Sequence, residues 1–264
     1  VSLLDATRRC FRAPSFAVFT ALLTGWVCAP GRRTITAMIA VADPAGQRAH
    51  DAYHRFVRDG AWAMSALWRV LAVHAIGRFA PTGVVSLDVD DTLFHKSGRQ
   101  VDGAGVFRDA VRSTVRRNVY ALGLNLVVVT LRVTPPWGGP PIALPVNARL
   151  HKKNDPTTTV EHAAAMLREL AGWLPDRDLH LCGDGAYASL CGAGLPRTHL
   201  TSRMENKSTT FLRPRKPESR SRWLCWSLNA KSGAGAPIWG GTLTACCARP
   251  SASPAACRTS RRPR

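Results

Sequence analysis

Apolar residues recur at intervals of three and four from Gln47 to Phe79, at Ala49, Ala52, Tyr53, Phe56, Met64, Leu67, Trp68 and Leu71. That spacing predicts amphipathic helices, with a break at Gly60. Residues 16–29 (FAVFTALLTGWVCA) form an apolar run behind Arg8, Arg9 and Arg12. The run is shorter than the ~18 residues of a membrane span and lacks a small-residue cleavage pattern, so it predicts a buried helix and not a signal peptide or a membrane segment. Together these stretches predict a helical amino-terminal region of three or four helices over residues 1–80.

The period then changes. Val84 to Asp90 alternates before a polar turn, Leu124 to Val133 is a continuous Val/Leu run, and Pro141 to Leu150 alternates again. Three successive strands without a helix clearly intervening after the second predict a meander. Thr158 and Glu161 form a capping box ahead of Val160, Ala164, Leu167, Leu170, Ala171 and Leu174, which line one helix face until Pro175. A short strand, Leu179 to Cys182, follows and runs into Gly183 and Asp184.

Beyond Met204 the chain reads differently. Residues 1–204 contain 21 valines and residues 205–264 contain none, and the last stretch is Arg, Ser, Ala, Pro and Cys in no regular period. This predicts a disordered basic tail over 205–264. Four cysteines and three tryptophans in such a tail point to a frameshift near residue 204.

Composition narrows the partners. A formal charge of +19, from 36 basic and 17 acidic side chains, favours a polyanion, with nucleic acid ahead of an anionic membrane. The excess is divided between residues 1–204, at +9, and the tail, at +10. The eight cysteines form no CxxC pair and no grouping at zinc-finger spacing, which predicts free thiols in a reducing compartment.

The richest chemistry lies in VVSLDVDDTLFHKSG, residues 84–98, where an apolar strand delivers Asp88, Asp90 and Asp91 to its carboxyl end. Alternation puts Asp88 and Asp90 on one face and Val85, Leu87 and Val89 on the other. In LHLCGDGAYAS, residues 179–189, a second strand ends in Asp184 between two glycines that allow close approach by a ligand. Two aspartates on different strands suit a two-metal phosphoryl-transfer site, because divalent ions such as Mg²⁺ prefer carboxylate oxygen.

DDTLFHKSG at 90–98, VFRDAVRSTVRRNVYALGLNLVVVTLRV after it, PPIALPVNARLHKKND and the LCGDGAY turn together resemble the DDE superfamily endonuclease transposases over about residues 16–204. The resemblance implies an α/β fold, an RNase H-like mixed sheet, with a catalytic domain over 81–204. It also implies cleavage and joining of DNA at insertion-sequence ends with Mg²⁺ or Mn²⁺, in a cytoplasmic, nucleoid-associated protein with a homodimer as a candidate assembly. Asp90 matches the family's first metal-binding aspartate and Asp184 its second. Lys96 falls in the family's Lys-containing signature and, with Arg112, Arg116, Arg117, Lys152 and Lys153, is a candidate for DNA phosphate. The family's third carboxylate is a Glu on a later helix. After Asp184 this chain offers only Glu205 and Glu218, neither in a helical pattern, so little or no strand transfer is expected.

Two alternatives stay open at this point. Asp88-Val89-Asp90-Asp91-Thr92-Leu93 fits the DxDxTL motif of haloacid-dehalogenase-type phosphatases, with Asp88 as nucleophile. That reading lacks a later acid after Asp184 and a clear β-α-β alternation. The other alternative is a catalytically dead DNA-binding remnant.

Overall fold

In the computed structural model, residues 3–98, 100–114 and 116–203 are described, together with the backbone of 225–227 and 242–246. The chain forms two compact units, Val1–His74 and Ala75–Arg264.

The first unit is helical: α1 (Leu3–Thr7), α2 (Ala13–Cys28), α3 (Ile35–Ala42), α4 (His50–Asp59) and the start of α5 (Met64–Phe79). The apolar run is α2, opened by Pro14 in its first turn and closed at Cys28, two residues before Pro30. Thr34 caps α3, accepting from the Ala37 N–H at 3.2 Å. Val18, Leu22 and Tyr53 form its core, with Ile35, Met38, Ile39 and Phe56 packed against them. A Cβ on Gly25 would lie 2.3 Å from the Met38 carbonyl oxygen, so glycine is what lets α2 and α3 approach. The break at Gly60 has a similar origin. Trp62 folds back to stack on Phe56, with centroids 4.4 Å apart, through the space a Cβ at Gly60 would fill.

The second unit is built on β1 (Val85–His95), β2 (Gly105–Arg108), β3 (Tyr120–Val133), β4 (Ile142–His151), α6 (Thr159–Trp173), β5 (Leu179–Gly183) and β6 (Thr198–Arg203). β1 pairs antiparallel with β3 and parallel with β5, β3 pairs antiparallel with β4, and β5 pairs parallel with β6. The central order β4-β3-β1-β5-β6 is the RNase H-like mixed sheet. β2 is an addition, pairing with the first residues of β3. Short segments β7 (Cys225–Ser227) and β8 (Thr242–Cys246) extend the sheet beyond β6 in backbone pairing. Everything else expected of residues 204–264 lies outside the described residues.

The capping box of α6 is present: Glu161 N–H donates to Thr158 Oγ1 at 3.2 Å and Thr158 N–H donates to Glu161 Oε2 at 2.7 Å. Its buried side, including Ala163, Met166, Leu167 and Leu170, covers one face of the sheet, where Val85, Leu87, Val127, Val129, Leu131, Leu179 and Leu181 are fully buried. On the opposite face Ser86, Asp88, Val128, Thr130 and Cys182 remain partly exposed among the described residues. The Arg177 side chain ties the start of β1 to the α6–β5 connection, donating to the carbonyls of Gly83, Pro81 and Ala80 at 2.9, 3.0 and 2.8 Å.

Candidate active site

β1 carries the first group of carboxylates and does not turn at Asp90. It continues to His95 because β3 is long enough to pair with it as far as Gly123. The expected alternation holds through Val89, with Val85, Leu87 and Val89 buried and Asp88 on the other side. β5 reaches only Gly183, the Cα partner of Val89. Past that pair β1 loses its β5 neighbour, and the next residues on the two strands are Asp90 and Asp184. Parallel strands lie ~4.8 Å apart, so the two aspartates follow the end of the β1–β5 ladder as neighbours, Asp90 still paired with Val128 of β3.

Asp184 caps the 3-10 helix Gly185–Gly192, its Oδ1 accepting the Ala186 N–H at 3.0 Å. The Ser202 hydroxyl donates to the Asp184 carbonyl at 2.6 Å, so β6 also holds this turn. Asp90 Oδ1 accepts the Asp91 N–H at 2.9 Å. Local desolvation pushes the Asp90 carboxyl above its usual range, opposed by that N–H and aided by the negative charges of Asp91 and Asp184.

Asp91 faces the α6 side, where the Tyr187 hydroxyl donates to its Oδ1 over 3.4 Å. Tyr187 is 1% exposed. Burial first, then Asp91, Asp90 and Asp184, drive its phenol pKa upward, so it stays a neutral donor. Asp88 is paired with Arg132 of β3, whose Nε and Nη2 donate to its two carboxylate oxygens.

The basic candidates are all exposed. Lys96 follows β1, and its N–H donates to the Leu122 carbonyl at 3.0 Å. Lys152 pairs with Asp102 at 2.8 Å, and Lys153 reaches the Val106 carbonyl at 3.3 Å. Arg112 lies 3.5 Å from Asp109, which also binds His95 at 2.8 Å. Lys96, Arg112, Lys152 and Lys153 are thereby gathered around β2 and the far end of β1. Arg116 and Arg117 sit on the connection to β3.

Two groupings are absent from the sequence reading. In the first unit a cavity of about 660 Å³ is lined by Arg9, Arg12, Arg48 and Arg55 with Phe11 and Trp62. These residues are scattered over some fifty positions, and no linear motif joins them. In the second unit His151, Asp155 and His162 converge, at a spacing that matches no common zinc motif.

Residues 6–223 match the family of DDE superfamily endonucleases. The chain belongs to that family. The match covers both compact units and continues past the compositional break at Met204. No curated protein matches the sequence. Membership joins the RNase H-like sheet to an endonuclease role, and among the described residues no helix is long and apolar enough to cross a membrane.

Proposed function

We propose that the chain derives from a transposase that cleaves and joins DNA at insertion-sequence ends, with Asp90 and Asp184 as the carboxylates for a divalent ion, Mg²⁺ or Mn²⁺. The observation that carries this reading is the Val89–Gly183 register, after which the next residues of two adjacent strands are Asp90 and Asp184. The residues fit such an ion: both donors are hard oxygens, and a cation would offset the burial and, secondarily, the neighbouring negative charges that raise Asp90. When bound, the ion would activate the attacking oxygen and stabilise the leaving one. The protein's own contribution is to fix the carboxylates, Asp184 through its capping bond and Asp90 through the Asp91 N–H. Lys96, Arg112, Arg116, Arg117, Lys152 and Lys153 would neutralise DNA phosphates, in keeping with the +19 charge.

After Asp184 the chain's acidic side chains are Glu205 and Glu218 alone, and neither lies in a stretch with a helical pattern that would supply the family's third carboxylate. We therefore expect DNA binding with little strand transfer. The phosphatase alternative needs Asp88 free to attack phosphorus. Its pairing with Arg132, and the antiparallel β3 beside β1, weigh against that.

The test is Mg²⁺- or Mn²⁺-dependent nicking of supercoiled DNA by the chain and by Asp90→Asn and Asp184→Asn, beside hydrolysis of p-nitrophenyl phosphate. Salt-sensitive DNA binding with neither activity supports the proposal as stated. Nicking abolished by both substitutions supports the site and overturns the expected inactivity. Ester hydrolysis lost in Asp88→Asn overturns the transposase reading.

A further inference from the structure

His151 ends β4, Asp155 sits in the loop that follows, and His162 lies in the first turns of α6. One donor atom from each falls within 4.8 Å of the other two. His162 Nε2 is 3.3 Å from Asp155 Oδ2, and the two imidazoles meet edge to face with centroids 5.7 Å apart. A simple His–Asp hydrogen bond would account for part of this. It leaves the Nδ1 atoms of both His151 and His162 buried without a hydrogen-bond partner. A buried polar atom without a partner is unfavourable unless something satisfies it, and here one such atom sits on each of two imidazoles that share a cluster with one carboxylate.

We propose that His151, Asp155 and His162 form a transition-metal site of the Zn²⁺ class, separate from the Asp90–Asp184 pair. Two imidazoles and one carboxylate are the donor set that borderline ions take, leaving a fourth tetrahedral position for water. Bonds of ~2.0 Å place tetrahedral donors about 3.3 Å apart; His162 Nε2 and Asp155 Oδ2 already have that separation, and the remaining donor starts within 4.8 Å of the others. The carboxylate is already oriented, since Asp155 Oδ1 accepts the Thr157 N–H at 2.9 Å. Phe107 closes one side, with its ring centroid 5.9 Å from that of His151. The site is distinct from the carboxylate pair. His151 pairs with Asn125, which pairs with Leu93, so it lies two strands across and three residues beyond Asp90, roughly 14 Å away by strand spacing. The ion would clamp the end of β4 to the start of α6 across residues 152–158.

The test loads the full chain with Zn²⁺ in excess Mg²⁺, after alkylating cysteines so that thiols cannot compete. Free ion is dialysed away and bound zinc is measured by plasma emission. The expected result is one zinc per chain, retained in Asp90→Asn and Asp184→Asn and lost in His151→Asn, His162→Asn and Asp155→Asn. Zn²⁺ should raise the wild-type Tm by about 5 °C and leave that of Asp155→Asn unchanged. Far-UV circular dichroism identifies any variant that fails to fold, and Asp155→Asn, the mildest change, then decides. Equal zinc in wild type and Asp155→Asn overturns the proposal, as does zinc that follows Asp90 and Asp184 instead.

Discussion

Tyr187 reaches across from the turn after β5 to place its hydroxyl 3.4 Å from Asp91 Oδ1 on β1. A fully buried phenol thus links the two segments that carry the candidate carboxylates. Tyr187→Phe should lower stability by about 0.5–1 kcal/mol, the range of a long hydrogen bond, whereas Tyr187→Ala should cost about 3–5 kcal/mol through the cavity it leaves. Urea titration of both variants separates the two effects; equal losses would mean that the hydroxyl matters more than the ring.

A Cβ at Gly183 would sit 3.0 Å from Val89 Cγ1 and 3.1 Å from Tyr187 Cβ. Val89 can rotate, but the Tyr187 Cβ is held by its backbone. Gly183→Ala should therefore destabilise by about 1–2 kcal/mol and displace Asp184. Thermal melts read the first effect and Mn²⁺ affinity the second. An unchanged Tm would show that this approach is looser than it looks.

Asp90 has a raised folded-state pKa, so its contribution is favourable while the carboxyl is protonated and is lost as pH rises through the folded value. At neutral pH, without divalent ions, the charged form is disfavoured. Asp90→Asn should raise the Tm at pH 7 by about 1–2 °C, with the gain shrinking below the ordinary carboxylate range. Melts from pH 3 to 8 check the sign; a lower Tm at pH 7 would refute it.

Thr158→Ala removes the side-chain acceptor of the Glu161 N–H at the start of α6. A loss of about 1 kcal/mol is expected. Because Asp155 and His162 flank this cap, zinc uptake by the variant is a sensitive second readout.

The elements that follow one clear period were readable from the amino-acid order: α2, the break at Gly60, β3, β4, the capped α6 and β5. Asp90 and Asp184 stand out as candidates in the amino-acid order because each follows a short apolar stretch. Their adjacency was not, since the Val89–Gly183 pairing joins residues 94 positions apart. The extension of β1 to His95 was hidden because Thr92, Phe94 and His95 are exposed and carry no burial pattern. β2 is four residues long, too short for a period to show. The eight-residue α3 is apolar almost throughout, so it offers no polar face to count against. His151, Asp155 and His162 are brought together by the turn between β4 and α6, a tertiary event that spacing does not announce.

The three carbonyl bonds from Arg177 to residues 80–83 have a consequence in time. On a growing chain β1, β3 and β4 are complete before Arg177 exists, so the meander waits with one side of β1 open. At roughly 5–20 residues per second, the 94 residues from Asp90 to Asp184 take about 5–20 s to synthesise. Until then three aspartates crowd the strand without their partner. The meeting of Asp90 and Asp184 is therefore a late product of translation, completed only after most of the sheet has left the ribosome.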